Sequence, residues 1–252
     1  MRKKMVQLGF LLMVTVVVGV VWVDRSSAPV APIHSQGATD SRPSFNKRQY
    51  SLTDPASPWV IVNKQHPLVT RTYQPADLVF PAVSLRIPGM TEMKMRQEAA
   101  TALEAFLSAA DAAGYAPQVS TAFRGYQYQK TLYDGYVATE GQAAADTQSA
   151  RPGYSEHQTG WAVDIRTQSA QCYLEVCYGN MPEGKWLAAN AYEYGFLLRY
   201  PADKVSVTGY SYEPWHFRYV GKGLTEEMHN QGVTTLEEFF GVSGGTTYKD
   251  AP

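Results

Sequence analysis

Three basic residues, Arg2, Lys3 and Lys4, stand before an apolar run from Leu8 to Val23 that carries no charge. This feature removes the first 23 residues from any folded core and sets the compartment of the rest. Positive charge ahead of an apolar segment keeps the N-terminus inside and sends the downstream chain across the membrane. The run is 16 residues long, or 19 counted from Met5 across Gln7. A cleavable export signal has about 7 to 15 apolar residues, whereas a spanning helix needs about 17 to 25. The length favours a membrane anchor over residues 1–23. A cleaved signal stays open as the alternative, because Ser26-Ser27-Ala28 offers a cut site, although Pro29 would follow it directly. No cysteine adjoins the run, which argues against a lipid-modified lipoprotein. The remainder is expected to be extracytoplasmic, membrane-anchored if the helix is retained and secreted if it is cut.

From Asp24 to Pro58, 12 of 35 residues are Ser or Pro and large apolar residues are sparse. That is the composition of a disordered spacer. Regular apolar placement starts at Trp59, and residues 241–252, with Gly244-Gly245-Thr246-Thr247, read as a loose C-terminal tail. One domain over residues 59–240 remains, long enough to bury a substantial core. The formal charge is −1, and beyond Val23 nineteen basic residues face 23 acidic ones. A nucleic-acid binder would show a basic footprint, so that class is excluded. The domain is read as a monomer.

Periodicity supplies a coarse fold. Thr91 is placed to cap a helix in which Met95, Ala99, Leu103, Phe106, Ala110 and Ala113 recur at helical steps, with Gly114 at its end. Further helices are predicted over Tyr126 to Ala138, Glu183 to Tyr194 and Thr225 to Asn230. Gln118 to Phe123 alternates as a half-buried strand does, and short strands are predicted near Gly160 to Ile165, Phe196 to Tyr200 and Trp215 to Val220. Helices and strands do not strictly alternate, so the fold class is α+β: a small antiparallel sheet flanked by helices.

The chemistry concentrates in Ser155-Glu156-His157-Gln158-Thr159-Gly160-Trp161-Ala162-Val163-Asp164 and in Glu213-Pro214-Trp215-His216. If Trp161, Val163 and Ile165 face the core, Asp164 points the other way with only Ala162 beside it. His157 precedes this strand and His216 opens another, so two imidazoles and a carboxylate can converge. Such a set leaves one position open, the arrangement of catalytic rather than structural zinc, and the sheet is therefore expected to carry a Zn2+ site. Glu213 is the candidate base for the attacking water. Pro214 drives Glu213 into an extended conformation, so Glu213 and His216 must meet through a turn.

Ser155-x-His157-x-x-Gly160-x-Ala162-x-Asp164, followed by Glu213-Pro214-Trp215-His216, resembles the signature of the VanY-type zinc D-alanyl-D-alanine carboxypeptidases, a family that includes the LdcB-like L,D-carboxypeptidases. The likeness extends to Asn63-Lys64-Gln65-His66-Pro67-Leu68, to Phe123-Arg124-Gly125-Tyr126 with Gln129, and to Ala150-Arg151-Pro152-Gly153-Tyr154. It implies zinc ligands at His157, Asp164 and His216, and a catalytic carboxylate at Glu213. It further implies that Arg124 polarises the scissile carbonyl, and that Ser155 and Gln129 touch a peptidoglycan stem peptide. It does not separate action on pentapeptide stems from L,D action on tetrapeptides. The pattern departs at Phe123, read as packing, and at Gly125, read as loosening Arg124.

Other readings are weighed against this one. Ser155, His157 and Asp164 contain the residue types of a nucleophilic triad, but no Gly-x-Ser-x-Gly elbow is present and Glu213 and His216 would be left without work. Ser44-Phe45-Asn46-Lys47 matches a Ser-x-x-Lys motif only inside the spacer. A non-catalytic zinc-stabilised wall-binding module is the remaining rival, and the presence of both Glu213 and Arg124 argues against it. His34 and His229 are read as remote from the metal and His66 as stabilising a turn. Tyr210 and Tyr212 are read as cleft lining or as an aromatic wall-binding surface. Cys172 and Cys177, with four residues between them, are expected to form a disulfide outside the cytoplasm. In protein recovered from the native cell surface, alkylation without prior reduction should therefore label neither cysteine; labelling of both would refute the bridge.

Overall fold

The computed structural model describes residues 45–249. The expected anchor or signal, the spacer up to Ser44, His34 and the last three residues lie outside the described residues. In chain order the elements are β1 (Leu78–Val79), β2 (Met95–Arg96), α1 (Gln97–Ala112), β3 (Pro117–Thr121), α2 (Tyr126–Glu140), α3 (Gln142–Gln148), β4 (Ala162–Thr167), α4 (Pro182–Asn190), β5 (Phe196–Leu198), α5 (Val205–Thr208), β6 (His216–Tyr219), α6 (Lys222–Gln231) and α7 (Leu236–Phe240). Among the described residues no helix is long and apolar enough to cross a membrane.

The alternation around Val163 does what a two-residue period requires. Strands β3, β4, β6 and β5 lie side by side in that order, each pair antiparallel. One face carries Val163, Ile165 and Phe217, all without solvent exposure. Helix α1 covers that face through Leu103, Phe106 and Ala110. Phe106 is its centre, with its ring centroid 5.8 Å from that of Phe196 and 5.9 Å from that of Phe217. The opposite face carries Asp164 and His216 as direct register partners, with Ala162 paired to Arg218 further along. Apolar burial therefore fixes the register, and the register sets a carboxylate beside an imidazole.

The α+β expectation and its antiparallel sheet are observed, with three differences. The helix expected from Thr91 begins only at Gln97. Thr91–Met93 forms a single 3-10 turn, and β2 pairs with β1 in a two-residue ribbon. Arg96 and Gln97 donate their backbone N–H groups outward, to Gly160 and Asp77, so the chain reaches its core position at Met95 extended rather than coiled.

The domain also starts before Trp59. Phe45 stacks on Trp59 at 5.5 Å and meets Phe239 edge-on at 5.7 Å, while Lys47 Nζ donates to the Phe239 carbonyl. The spacer composition holds sparse but large aromatic groups, and these are enough to dock residues 45–58.

The segment after Gly241 is likewise packed rather than loose. Lys64, buried, donates Nζ to the carbonyls of Asp146, Gly209 and Thr246, and its own carbonyl accepts from Lys249 N. Tyr248 is buried against Tyr154 at 4.9 Å, and its hydroxyl accepts from Arg151 N. The glycines that suggest looseness let the backbone pass close: a Cβ at Gly244 would lie 2.1 Å from the Val207 carbonyl oxygen. Truncating a buried aromatic costs about 3 to 5 kcal/mol. Tyr248→Ala should lower the unfolding free energy by about that amount in urea titrations, where a loose tail would leave it unchanged.

Candidate metal centre

The site rises on the sheet face away from α1. Gly160, at φ +74°, ends the 3-10 turn Glu156–Thr159, and that turn swings His157 back over the start of β4. His157 Nε2 lies 3.3 Å from Asp164 Oδ1, and His216 Nδ1 lies 3.4 Å from the same oxygen. The two imidazole rings stand 4.7 Å apart at 77°. Glu213 reaches His216 Nδ1 with Oε2 at 3.4 Å. The expected turn is present: His216 N donates to the Glu213 carbonyl, and Glu213 N to that of Tyr200.

A buried polar atom left without a hydrogen bond costs about 1 to 3 kcal/mol. Two such atoms, His157 Nε2 and Asp164 Oδ1, face each other here. One ligand atom from each of His157, Asp164 and His216 lies within 4.8 Å of the others, and the nitrogen that His216 turns toward Asp164 Oδ1 is Nδ1. Their remaining polar atoms on His157 and Asp164 are accounted for. His157 Nδ1 lies 2.6 Å from the Ala122 carbonyl, and Asp164 Oδ2 accepts from Thr121 Oγ1 at 2.8 Å and Arg124 Nη1 at 3.0 Å. The fit to a divalent metal with an open fourth position is direct.

Burial, helped by the charge of Arg124, pushes His157 down to about 4, which leaves its imidazole neutral with a lone pair to give. Burial also acts to lower His216, but Glu156 and Glu213 outweigh it and raise it to about 9. Burial holds Glu213 above the usual carboxylate range. Asp164 stays far below that range in spite of burial, because His157 and Arg124 favour its anion.

Arg124 leaves the end of β3 and is fixed three ways: Nη1 donates to Thr121 Oγ1 and Asp164 Oδ2, and Nε donates to Gln129 Oε1. Gly125 therefore does not loosen it. A Cβ at Gly125 would meet only the Phe123 ring at 3.5 Å, an ordinary contact. Gln129 departs from its expected place against substrate. It is wholly buried on α2, and its Nε2 donates to Ser149 Oγ and the Ala150 carbonyl, so it orients Arg124. Ser155 is buried at the start of the His157 turn. The two nitrogens of His157 face Ala122 and Asp164, so no triad runs through Ser155. Tyr210 is buried beside Tyr200 and Tyr248 rather than lining a cleft, whereas Tyr212 sets its hydroxyl against Gly179. His66 closes the Asn63 turn and meets Ser243, and His229 stacks on Tyr192 away from the site. Cys172 and Cys177 form the expected disulfide.

Two participants carry no clear mark in the sequence. Thr121 bridges Arg124 and Asp164; its placement beside Asp164 depends on a register shift in β3 between Val119 and Thr121 that no spacing announces. Glu156, adjacent to His157, is completely buried and bonds through Oε1 to Arg199 Nε at 2.8 Å and Arg218 Nη1 at 3.0 Å. Its position inside the motif is the one signal available.

The model of the family described as "VanY: D-alanyl-D-alanine carboxypeptidase" matches residues 92–222. YodJ of Bacillus subtilis, a putative carboxypeptidase by name, is 40% identical over 191 residues, 75% of this chain and 69% of its own length. The chain spans 52% and 35% of two enterococcal D-alanyl-D-alanine carboxypeptidases that it also matches. Among solved structures, the LdcB LD-carboxypeptidase aligns with a TM-score of 0.70 at 40% identity, covering 75% of this chain and 89% of that one. A Zn(II) complex of the vancomycin-resistance D,D-pentapeptidase VanY aligns with a TM-score of 0.57 at 35% identity, covering 73% and 98%.

The geometry separates ligands from supports. His157→Ala should abolish stoichiometric metal in elemental analysis of purified protein, whereas Gln129→Ala, which touches only Arg124 and the α3–Ser155 connection, should keep about one equivalent.

Proposed function

The chain belongs to the VanY family of D-alanyl-D-alanine carboxypeptidases, and from that premise we propose that it releases the terminal D-alanine of peptidoglycan stem peptides. The observation that carries the reading is the convergence of His157, Asp164 and His216 with Glu213 at the rim. Zinc is the cofactor; held by those three residues, it supplies a Lewis acid that polarises the scissile carbonyl and makes water acidic enough to ionise near neutral pH. Glu213 accepts a proton from the attacking water as its oxygen adds to the carbonyl carbon. The same carboxyl returns that proton to the amine nitrogen of D-alanine as the C–N bond breaks. Arg124, fixed by Thr121, Asp164 and Gln129, presents positive charge where the carbonyl oxygen becomes negative. Because its partners are already in place, little reorganisation accompanies the reaction.

A second reading, L,D-carboxypeptidase action on tetrapeptide stems, is favoured by the closer structural match to LdcB, with a TM-score of 0.70 against 0.57 for VanY. Both reactions end in the same free D-alanine. A wall-binding module without turnover would need neither a carboxylate 3.4 Å from His216 Nδ1 nor Arg124 fixed beside Asp164, and both support the enzyme. Work outside the cytoplasm is supported by the Cys172–Cys177 disulfide and by the basic-then-apolar N-terminal segment.

Mass spectrometry of defined tetra- and pentapeptide stems incubated with zinc-loaded protein distinguishes the two. Loss of one alanine from the pentapeptide alone assigns D,D action, and loss from the tetrapeptide alone assigns L,D action. A chelator should abolish the release, added zinc should restore it, and penicillin should leave it untouched; activity that survives chelation sinks the metal reading.

Glu213→Gln removes the basic carboxylate but no ligand. Turnover should fall by about two to four powers of ten while zinc content stays at the wild-type level. A variant that sheds its zinc would instead make Glu213 a ligand.

A further inference from the structure

Arg199 and Arg218 lie without solvent exposure beneath the metal centre and hold one oxygen of Glu156 between them. The other oxygen, Oε2, has no hydrogen bond and faces His216 Nε2, likewise unpartnered, at 3.6 Å. Nothing else among the described residues competes for either atom. Behind Arg199 the chain of contacts continues. Both Nη atoms donate to Glu237 at 2.9 and 2.7 Å, and Asn63 Nδ2 donates to Glu237 Oε1 at 2.9 Å. Glu237 sits on α7, past residue 222 where the family match ends.

A neutral imidazole carries its proton on one nitrogen and its lone pair on the other. For His216 Nδ1 to face Asp164 Oδ1 as a ligand, the proton must reside on Nε2, and the partner of the second nitrogen is what selects that state. His157 meets the same need with the neutral carbonyl of Ala122. We propose that Glu156 is a positioning residue that fixes the Nε2–H tautomer of His216 and leaves Nδ1 for zinc, and that α7 holds Glu156 in place through Glu237 and Arg199. The 3.6 Å gap is a few tenths of an ångström outside hydrogen-bonding range. A ring movement of that size on metal binding would bring Nε2 within hydrogen-bonding range of Oε2. The inference rests on His216 being a zinc ligand.

The substitution Glu156→Gln is informative because of what it turns toward His216. Two arginines continue to claim an acceptor, so the carboxamide oxygen stays with them and the NH2 faces the ring. A donor there favours the proton on Nδ1, the wrong tautomer for binding. Loss of an outer partner of a metal ligand typically weakens metal binding about 10- to 100-fold. Chelator competition should show a loss of zinc affinity in that range for Glu156→Gln, and a smaller loss in the same direction for Glu237→Gln. The cobalt-loaded Glu156→Gln protein should show a shifted visible spectrum. Zinc affinity within about threefold of wild type in folded Glu156→Gln, well short of the loss expected for an outer partner, overturns the proposal.

Should that variant fail to fold, wild type decides. In zinc-loaded protein labelled with 15N-histidine, long-range 1H–15N correlations should find His216 protonated at Nε2 and bound at Nδ1. A proton on Nδ1 with zinc on Nε2 overturns the tautomer assignment while leaving His216 a ligand. No zinc-induced change at His216 would instead overturn the metal-site reading on which this inference stands.

Discussion

Two guanidinium groups sealed from water set the terms for the rest of this fold. Arg199 and Arg218, on neighbouring chain segments of the sheet, cannot be left unmatched, because removing one partner of a buried ion pair costs about 3 to 5 kcal/mol. Two glutamates meet them, one from the His157 turn and one from α7, and backbone carbonyls of Pro58, Val60 and Tyr219 take the remaining donors of Arg218. Each demand places a distant piece of chain. Residues 58–60 are drawn under the sheet, α7 is drawn back across it, and the 3-10 turn is drawn close enough for His157 to overhang β4. The metal site is thus the upper surface of a buried charge cluster whose lower surface closes the domain.

The relation between the two layers explains how a site of such polarity survives at such depth. Asp164 is ionised in the interior because imidazoles and Arg124 surround it; Glu156 is ionised because two arginines do. In both cases burial opposes the charged form and specific partners overcome it. Arg124 reaches the metal-site face through Asp164, whereas Arg199 and Arg218 meet Glu156 behind it. His216, with Asp164 on one side and Glu156 on the other, touches both groups.

The legibility of each feature in the sequence tracks the range of the forces involved. Val163, Asp164 and Ile165 lie within one strand, so alternation alone predicts which side chain faces the core and which faces the site. Pro214 restricts its neighbour locally, and the turn joining Glu213 to His216 is legible for that reason. Glu156 is not, because an acid between Ser155 and His157 reads as exposed until its partners are known, and these lie 43 and 62 residues away. Gln129 misleads similarly: a polar residue on the first turns of a helix looks available to a ligand, while its amide is spent on Arg124, Ser149 and Ala150. Composition misleads over the tail after Gly241, since Gly-Gly-Thr-Thr describes backbone freedom and says nothing of Tyr248 as an anchor.

The packing of Phe45 against Trp59 and Phe239, with Lys47 bound to the Phe239 carbonyl, brings the first described residues of the domain against its last helix. The first described residues and the last helix are therefore neighbours in space. A tension applied to residue 45 would be met by that aromatic cluster before it reached the strands, so the register that aligns Asp164 with His216 would be shielded from a pull at that point.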